Sequence, residues 1–268
     1  MLAVQRHKVI IEELRRHGAV RVSDLTDLLA VSEMTVRRDL DSLAADGLLE
    51  KVHGGATLRG HLSADEPGFE AKSHRQLREK EAIAQAAARL AEPGQSIGLT
   101  AGTTTWRLAH HLAQVPELTV VTNSLQVASV FHREARPDCT VVLTGGVRTP
   151  SDALVGPVAV SAIRSLHLDL LFLGVHGVTA DAGLTTPNLL EAETDRALVA
   201  ASARRAVVAD HTKWGVRGLS RIAGLEDVHV FVSDSGLAED ARAAIGEHAE
   251  RVVIAPLRRR NANGGARA

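Results

Sequence analysis

Val31-Ser32-Glu33-Met34-Thr35-Val36-Arg37-Arg38-Asp39-Leu40, continuing through Asp41-Ser42-Leu43 toward Gly47, is the stretch on which the reading of this chain turns. Ser32 is placed to cap the free amides of a helix running to about Asp46, and Gly47 supplies a C-terminal stop. Val36, Leu40 and Leu43 fall at i, i+4 and i+7 and make its buried stripe. At about 100° per residue, Met34, Arg38, Asp41 and Ser42 then point away from the stripe, with Thr35 and Arg37 on the flanks. The exposed N-terminal half is rich in hydrogen-bonding groups, and this is the part of a recognition helix that meets base edges in a DNA major groove.

The flanking residues complete the device. Val9, Ile10, Glu13 and Leu14 predict a first helix stopped at Gly18; Val22, Leu25, Leu28 and Leu29 predict a second, with Ser23 and Asp24 near its start. Ala30-Val31-Ser32 is a turn short enough for a helix-turn-helix over about residues 20–39. Leu48 to Val52 and Ala56 to Leu58 can pair around His53-Gly54-Gly55 as a two-stranded wing whose glycines permit positive φ. The candidate DNA-contacting residues are therefore Ser32, Met34, Thr35, Arg37, Arg38, Ser42, Lys51, His53 and Gly54. A plain helical bundle with solvated arginines would explain Arg37-Arg38 alone, but not three helices, a short turn and a Gly-Gly ribbon in this order. Residues 1–60 hold nine basic and nine acidic residues, a net charge of zero. Without the basic excess of many nucleic-acid binders, affinity must come from arrangement or from two copies acting together.

The quoted run "VSEMTVRRDL", the "DGLLEKVHGGA" after it, and Gln5-Arg6 near the start make residues 3–58 resemble the DNA-binding domain of DeoR-type transcription regulators. The resemblance implies a winged helix-turn-helix that binds operator DNA.

At 268 residues the chain is long enough for a second domain, and we expect a DNA-binding domain over 1–60, a linker over 61–69, a second domain over 70–257 and a disordered tail over 258–268. Hydrophobic content is 45% with four Phe, two Trp and no Tyr, so the core is aliphatic and aromatic stacking is not the main recognition mode. A lone cysteine, Cys139, excludes an internal disulfide and a Cys-rich metal site. No run reaches the roughly 18 apolar residues of a membrane span, and the start lacks an apolar signal region. These features predict a cytoplasmic protein with no membrane, metal or cofactor requirement.

Beyond Pro67-Gly68, strands and helices alternate. Strands are predicted over Gln95 to Leu99 and near Leu118 to Val121, Thr140 to Leu143, Leu168 to Leu173, Ala206 to Ala209, Val228 to Val232 and Val252 to Ile254, with helices between them. That pattern predicts an α/β domain with a largely parallel sheet, whose ligands bind outside the carboxyl ends of the strands. Those ends lead into Thr100-Ala101-Gly102-Thr103-Thr104-Thr105, Thr122-Asn123-Ser124, Thr144-Gly145-Gly146, Gly174-Val175-His176-Gly177, Asp210-His211-Thr212-Lys213 and Ser233-Asp234. Gly102 to Thr105, followed by a helix expected from Trp106, is the best anion cradle among them, although an ordinary helix cap without ligand reads the same way. Lys213 strengthens the anion reading, because of five lysines in the chain it alone follows residue 80.

This second segment also resembles the DeoR-type sensor domain over roughly residues 70–255, through Glu79-Lys80 with Ile83-Ala84, "GTTT", "TNS", "TGG", Gly156-Pro157, "GLTT" at Gly183 to Thr186, and "DHTKWG". The resemblance implies a fold related to ribose-5-phosphate isomerases and coenzyme A transferases, and an effector that is a phosphorylated sugar or related metabolite. It places Gly102, Thr103, Thr104, Asn123, Ser124, Gly145, Gly146 and Lys213 around that effector. Two departures stand out. Thr100 occupies a position where the family often has aspartate, and Gly174-Val175-His176-Gly177 lacks the acidic loop of the isomerases, so proton transfer misses a participant. Glu191, Glu193 and Asp195 read as an acidic helix start favoured by the macrodipole. The expectation is a ligand-controlled repressor of sugar-metabolism genes acting as a homodimer or higher homo-oligomer, with no catalytic residues. The alternative is a sugar-phosphate isomerase with an accessory DNA-binding domain.

Overall fold

The computed structural model describes residues 2–17, 19–46, 48–52, 54–57, 68–134 and 136–257. The expected stops at Gly18 and Gly47, His53 in the ribbon, Leu58, most of the connection and the 258–268 tail lie outside the described residues. The chain divides into two compact units, residues 1–62 and 63–268.

In the first unit, α1 (Ala3–His17), α2 (Val22–Leu29) and α3 (Glu33–Ala45) pack around Ile10, Leu14, Leu25, Val36, Leu40, Leu43 and Leu49, each at most 2% exposed. Ala30 takes a left-handed conformation (φ 50°) and turns the chain from α2 into α3. The ribbon differs from expectation. Besides β2 (Glu50–Val52) and β3 (Gly55–Thr57), a further strand, β1 (Ala19–Arg21), joins antiparallel to β3, giving the order β1-β3-β2. This gives the two ribbon glycines different reasons. Gly54 has φ +77°, whereas a Cβ on Gly55 would fall 2.1 Å from the Val20 carbonyl oxygen of β1.

The second unit begins with α4 (Phe69–Ser73) and α5 (Leu77–Ala88), followed by β4 (Ser96–Leu99), α6 (Thr103–Leu112), β5 (Thr119–Thr122), α7 (Leu125–Glu134) and β6 (Thr140–Leu143). A short antiparallel hairpin, β7 (Val147–Arg148) with β8 (Leu154–Val155), leads to α8 (Pro157–Arg164) and β9 (Leu168–Leu173). The strands β10 (Gly177–Thr179), β11 (Gly183–Thr186) and β13 (Ser220–Ala223) form a small antiparallel sheet. The chain otherwise continues through α9 (Leu189–Ala200), β12 (Ser202–Val208), β14 (Val230–Asp234), α10 (Glu239–Gly246) and β15 (Arg251–Ala255).

The main sheet has seven parallel strands in the order β15-β14-β12-β9-β4-β5-β6, one for each strand expected from the sequence. Side chains alternate across it: Leu170 and Phe172 of β9 join one core with α5, α6 and α7, while Leu171 and Leu173 join the other with α8, α9 and α10. The chain moves outward from β4 through β5 to β6, then returns to the far side of β4 at β9 and moves outward the other way. The order therefore reverses between β4 and β9, and an open α/β sheet binds its ligands at such a reversal. The small sheet and the β7–β8 hairpin were not expected, because their strands are two to four residues long and carry no sustained alternation.

Candidate functional site

Helix α3 is organised as its sequence pattern implies. Ser32 Oγ accepts from the Thr35 amide at 3.3 Å and lies 2.9 Å from Thr35 Oγ1, so the N-terminus is capped. Met34 is 71% exposed, and Arg37, Arg38, Asp41 and Ser42 are also exposed, while Thr35 is half-buried. Two cations of this face have partners: Arg37 pairs with Glu33 at 2.6 Å and Lys51 with Asp41. Such exposed pairs contribute little and exchange easily for a phosphate. Arg38 makes no ion pair or hydrogen bond among the described residues. Gly54 is exposed at the ribbon turn, and nothing lies within 4 Å of its missing Cβ.

Asp39 does not share this exposure. It follows Val36 by three positions, which puts it on the buried stripe, and it is 5% exposed. Arg6 of α1 donates to it twice, Nε to Oδ2 at 2.6 Å and Nη2 to Oδ1 at 2.9 Å, and His7 Nε2 lies 3.2 Å from Oδ1. The Arg6 hydrogen bonds hold the Asp39 carboxyl below the usual carboxylate range against the opposing effect of burial. This bidentate pair fixes α1 against the recognition helix.

In the second unit, helix α6 begins three residues earlier than expected, at Thr103, so Gly102 is its N-cap and the Thr103, Thr104 and Thr105 amides form its first turn. No side chain caps this end. Amides at such a position have no intrahelical acceptor and carry the positive end of the helix dipole. Thr100 Oγ1, buried, accepts from the Gly174 amide at 2.9 Å and ties the end of β4 to that of β9 at the strand-order reversal. Asp210 caps the 3₁₀ turn His211–Lys213 by accepting from the Thr212 amide at 3.1 Å, and Asp234 accepts from the His211 amide at 2.8 Å. These two carboxylates set the loop that carries Lys213.

Lys80, which the sequence shows only within the Glu79-Lys80 pair of the family resemblance, is the most informative residue of this site. It lies on α5 and is 4% exposed. Burial pushes its ammonium down to about 8, and Lys213, Arg107 and Lys72 press it in the same direction, with Asp210 alone opposing them. Three cations thus surround the Lys80 ammonium, where Asp210 opposes them, and one of the three, Arg107, also pairs with Glu81. Among the described residues, Trp106 Nε1 and Arg107 Nε, both in the first turns of α6, are buried without a hydrogen-bond partner, while Arg107 Nη1 lies 3.5 Å from Glu81.

The remaining expected effector residues are placed differently. Asn123 Oδ1 accepts from the Ala101 amide at 2.9 Å and its Nδ2 donates to the Leu154 carbonyl at 3.3 Å, so this side chain shapes the loop before α6. Ser124 Oγ accepts from the Val127 amide at 3.2 Å and caps α7. Gly146 lets β6 meet the hairpin closely, since a Cβ there would fall 2.4 Å from the Val155 carbonyl oxygen; Gly145 precedes it with φ +72°. These four follow β5 and β6, one and two strands out from β4. His176 is half-buried, and its amide donates to the Thr185 carbonyl. Asp195 lies beyond the first turn of α9, and the macrodipole does not account for it. Burial pushes its carboxyl well above the usual carboxylate range, with Glu191 adding to the effect. Among the described residues no group of His, Cys, Asp and Glu is arranged to hold a metal ion, and no helix is long and apolar enough to cross a membrane.

A family model described as the DeoR-like helix-turn-helix domain matches residues 6–60, and one described as the DeoR C terminal sensor domain matches residues 75–235. The chain is 34% identical to the HTH-type transcriptional regulator YgbI of Escherichia coli (strain K12), over 95% of this chain and 99% of that one. It is 36% identical to the HTH-type transcriptional regulator GlpR of Haloferax volcanii over 94% and 98%, and 32% identical to the glycerol-3-phosphate regulon repressor of Escherichia coli (strain K12) over 88% and 92%. Similar solved structures include ribose 5 phosphate isomerase A from Neisseria gonorrhoeae, at 17% identity over 53% of this chain and 54% of that one with a TM-score of 0.37. Another is the Pyrococcus horikoshii OT3 translation initiation factor eIF-2B, at 14% identity over 86% and 88% with a TM-score of 0.42. With both family models matched in order and relatives aligned along nearly their whole length, the chain belongs to the DeoR family of DNA-binding helix-turn-helix transcriptional regulators.

Proposed function

We propose that this regulator is a repressor of sugar-metabolism genes, that it binds operator DNA as a homodimer or higher homo-oligomer, and that a phosphorylated sugar or related metabolite controls it from the crevice beside α6. The observation that carries the effector reading is the gathering of Lys72, Lys213 and Arg107 about the buried Lys80 of α5, a helix packed on α6, whose first turn has no side-chain cap. Like charges brought together with partial desolvation oppose one another, and a phosphate relieves that opposition while accepting from helix-start amides. The relative named as the glycerol-3-phosphate regulon repressor is consistent with an effector of this chemistry. No catalytic residue is assigned, and the Gly174 to Gly177 loop offers no carboxylate for a sugar-phosphate isomerisation.

Lys213→Ala should lower effector affinity roughly tenfold to a hundredfold, since a charge-assisted hydrogen bond contributes about 1.5 to 3 kcal/mol. Operator affinity without effector should be unchanged, because the substitution lies in the second unit. A thermal-shift panel of sugar phosphates identifies the ligand, and calorimetry on parent and variant measures the loss. Equal affinity in the two proteins would place the phosphate elsewhere.

On the DNA side, Arg38 is the exposed cation of α3 with no competing partner, so it is the residue proposed to read a base or phosphate. Arg38→Ala should weaken specific operator binding by about 1 to 3 kcal/mol if it contacts a base, or reduce the salt slope if it contacts a phosphate. Gel-shift titrations at several salt concentrations separate the two. An unchanged affinity and an unchanged slope together would remove Arg38 from the interface.

A further inference from the structure

Of the four large apolar side chains on α3, Val36, Leu40 and Leu43 are at most 2% exposed, whereas Met34 is 71% exposed. Phase sets this difference: Met34 stands two residues before Val36, about 200° around the helix, and so lies opposite the buried stripe. The Ser32 cap fixes the turn that carries it. A single exposed apolar side chain is ordinary on a protein surface. This one stands in the first turn of a recognition helix, the part that meets base edges.

Its neighbours on that face are polar and differently employed. Arg37 pairs with Glu33 and Asp41 with Lys51, while Arg38 makes no ion pair or hydrogen bond among the described residues. Residues four apart on a helix are surface neighbours, so Met34 and Arg38 present an apolar group and a cation together. The major groove displays one apolar group, the 5-methyl of thymine, and its other base features are hydrogen-bond donors and acceptors. A thioether has no donor and is a weak acceptor, so it matches those features poorly and a methyl well. Its unbranched, polarisable chain adapts to such a contact.

We infer that Met34 is a specificity-determining residue that reads a thymine of the operator through its 5-methyl group. This rests on α3 being the helix that enters the groove, with Arg38 on the same face.

The test uses the full chain and a DNA duplex that the parent selects from a random-sequence library. Each thymine of the selected site is replaced in turn by uracil, which removes the methyl and leaves the Watson–Crick edge unchanged. At a thymine read by Met34, uracil should weaken parent binding about fourfold, the worth of one buried methyl group. Met34→Ala should bind the two duplexes equally, and Met34→Leu, which keeps an apolar side chain, should retain the penalty. Because Met34 is exposed, Met34→Ala should unfold at the parent's midpoint, which separates lost discrimination from lost folding. Uracil tolerated by the parent at every position, or penalties that all persist undiminished in Met34→Ala, would overturn the inference, and weakened binding in Arg38→Ala would then leave the recognition-helix reading standing. If neither Arg38→Ala nor Met34→Ala changes the sequence selected or its affinity, α3 does not face the bases and both readings fail.

Discussion

Arg6→Ala is expected to destabilise the DNA-binding unit, because it removes the donor to both oxygens of a carboxylate enclosed between α1 and α3. The Asp39 carboxylate is almost fully enclosed, with a side chain 6% exposed, and Arg6, 13% exposed, satisfies both of its oxygens. After the substitution one oxygen keeps His7 at 3.2 Å and the other has lost its donor. A unit of about 60 residues has little stability to lose, so the fraction of molecules with a folded recognition helix should fall. Denaturant unfolding followed by far-ultraviolet circular dichroism measures this, and a variant with the parent's midpoint would show that the pair is inert. The pH dependence has a fixed sign. Because the folded Asp39 carboxyl lies below its unfolded value, its stabilising contribution is complete above about pH 4 and is lost as pH falls through the folded value. The parent should therefore show an acid loss of stability that Arg6→Ala largely lacks.

Leu40→Ala should cost about 2 to 5 kcal/mol through lost burial and the cavity left behind. Leu40 is 1% exposed, in one cluster with Ile10, Leu14, Leu25 and Val36, so the surrounding helices cannot collapse onto the gap without moving α3. Unlike Arg6→Ala, this loss does not depend on pH near 4. Operator binding should fall only as far as the folded fraction falls, and stabilising the variant by lowering denaturant or temperature should recover it. A Leu40→Ala protein that melts like the parent yet fails to bind operator would mean that the leucine faces DNA.

The main architecture was legible in the sequence because it repeats one signal several times. Seven short runs of Val, Leu, Ile and Phe alternate with helical stretches, and each became a strand of the parallel sheet. The recognition helix was equally readable: the 3.6-residue stripe of Val36, Leu40 and Leu43 is the face that is buried. Pairings of two or three residues, such as β1 with β3, were not readable, because they arise from approach of distant segments and not from local preference. Gly55 shows this, being required by the proximity of Val20 and not by its own φ. Lys80 and Asp39 were missed for a different reason. Each occupies a position on an apolar stripe, Lys80 with Ile83, Ala84 and Ala87, and Asp39 with Val36 and Leu43. The periodicity that identified the cores also marked these two charges as buried. A buried charge calls for a partner or a ligand, and Asp39 has the former in Arg6.

Lys80 also gives the crevice a proton balance. An ammonium held near 8 is mostly charged at neutral pH, and the unfolded chain keeps its proton until pH is above 10. Between those limits the folded unit binds fewer protons than the unfolded chain, so its stability rises with pH there. At neutral pH the enclosed charge therefore costs on the order of 3 kcal/mol, a destabilisation that an anion bound in the proposed site would relieve. An anion seated beside Lys80 favours the protonated form. Near pH 8 it arrives together with a fraction of a proton, whereas below pH 7 the proton is already in place.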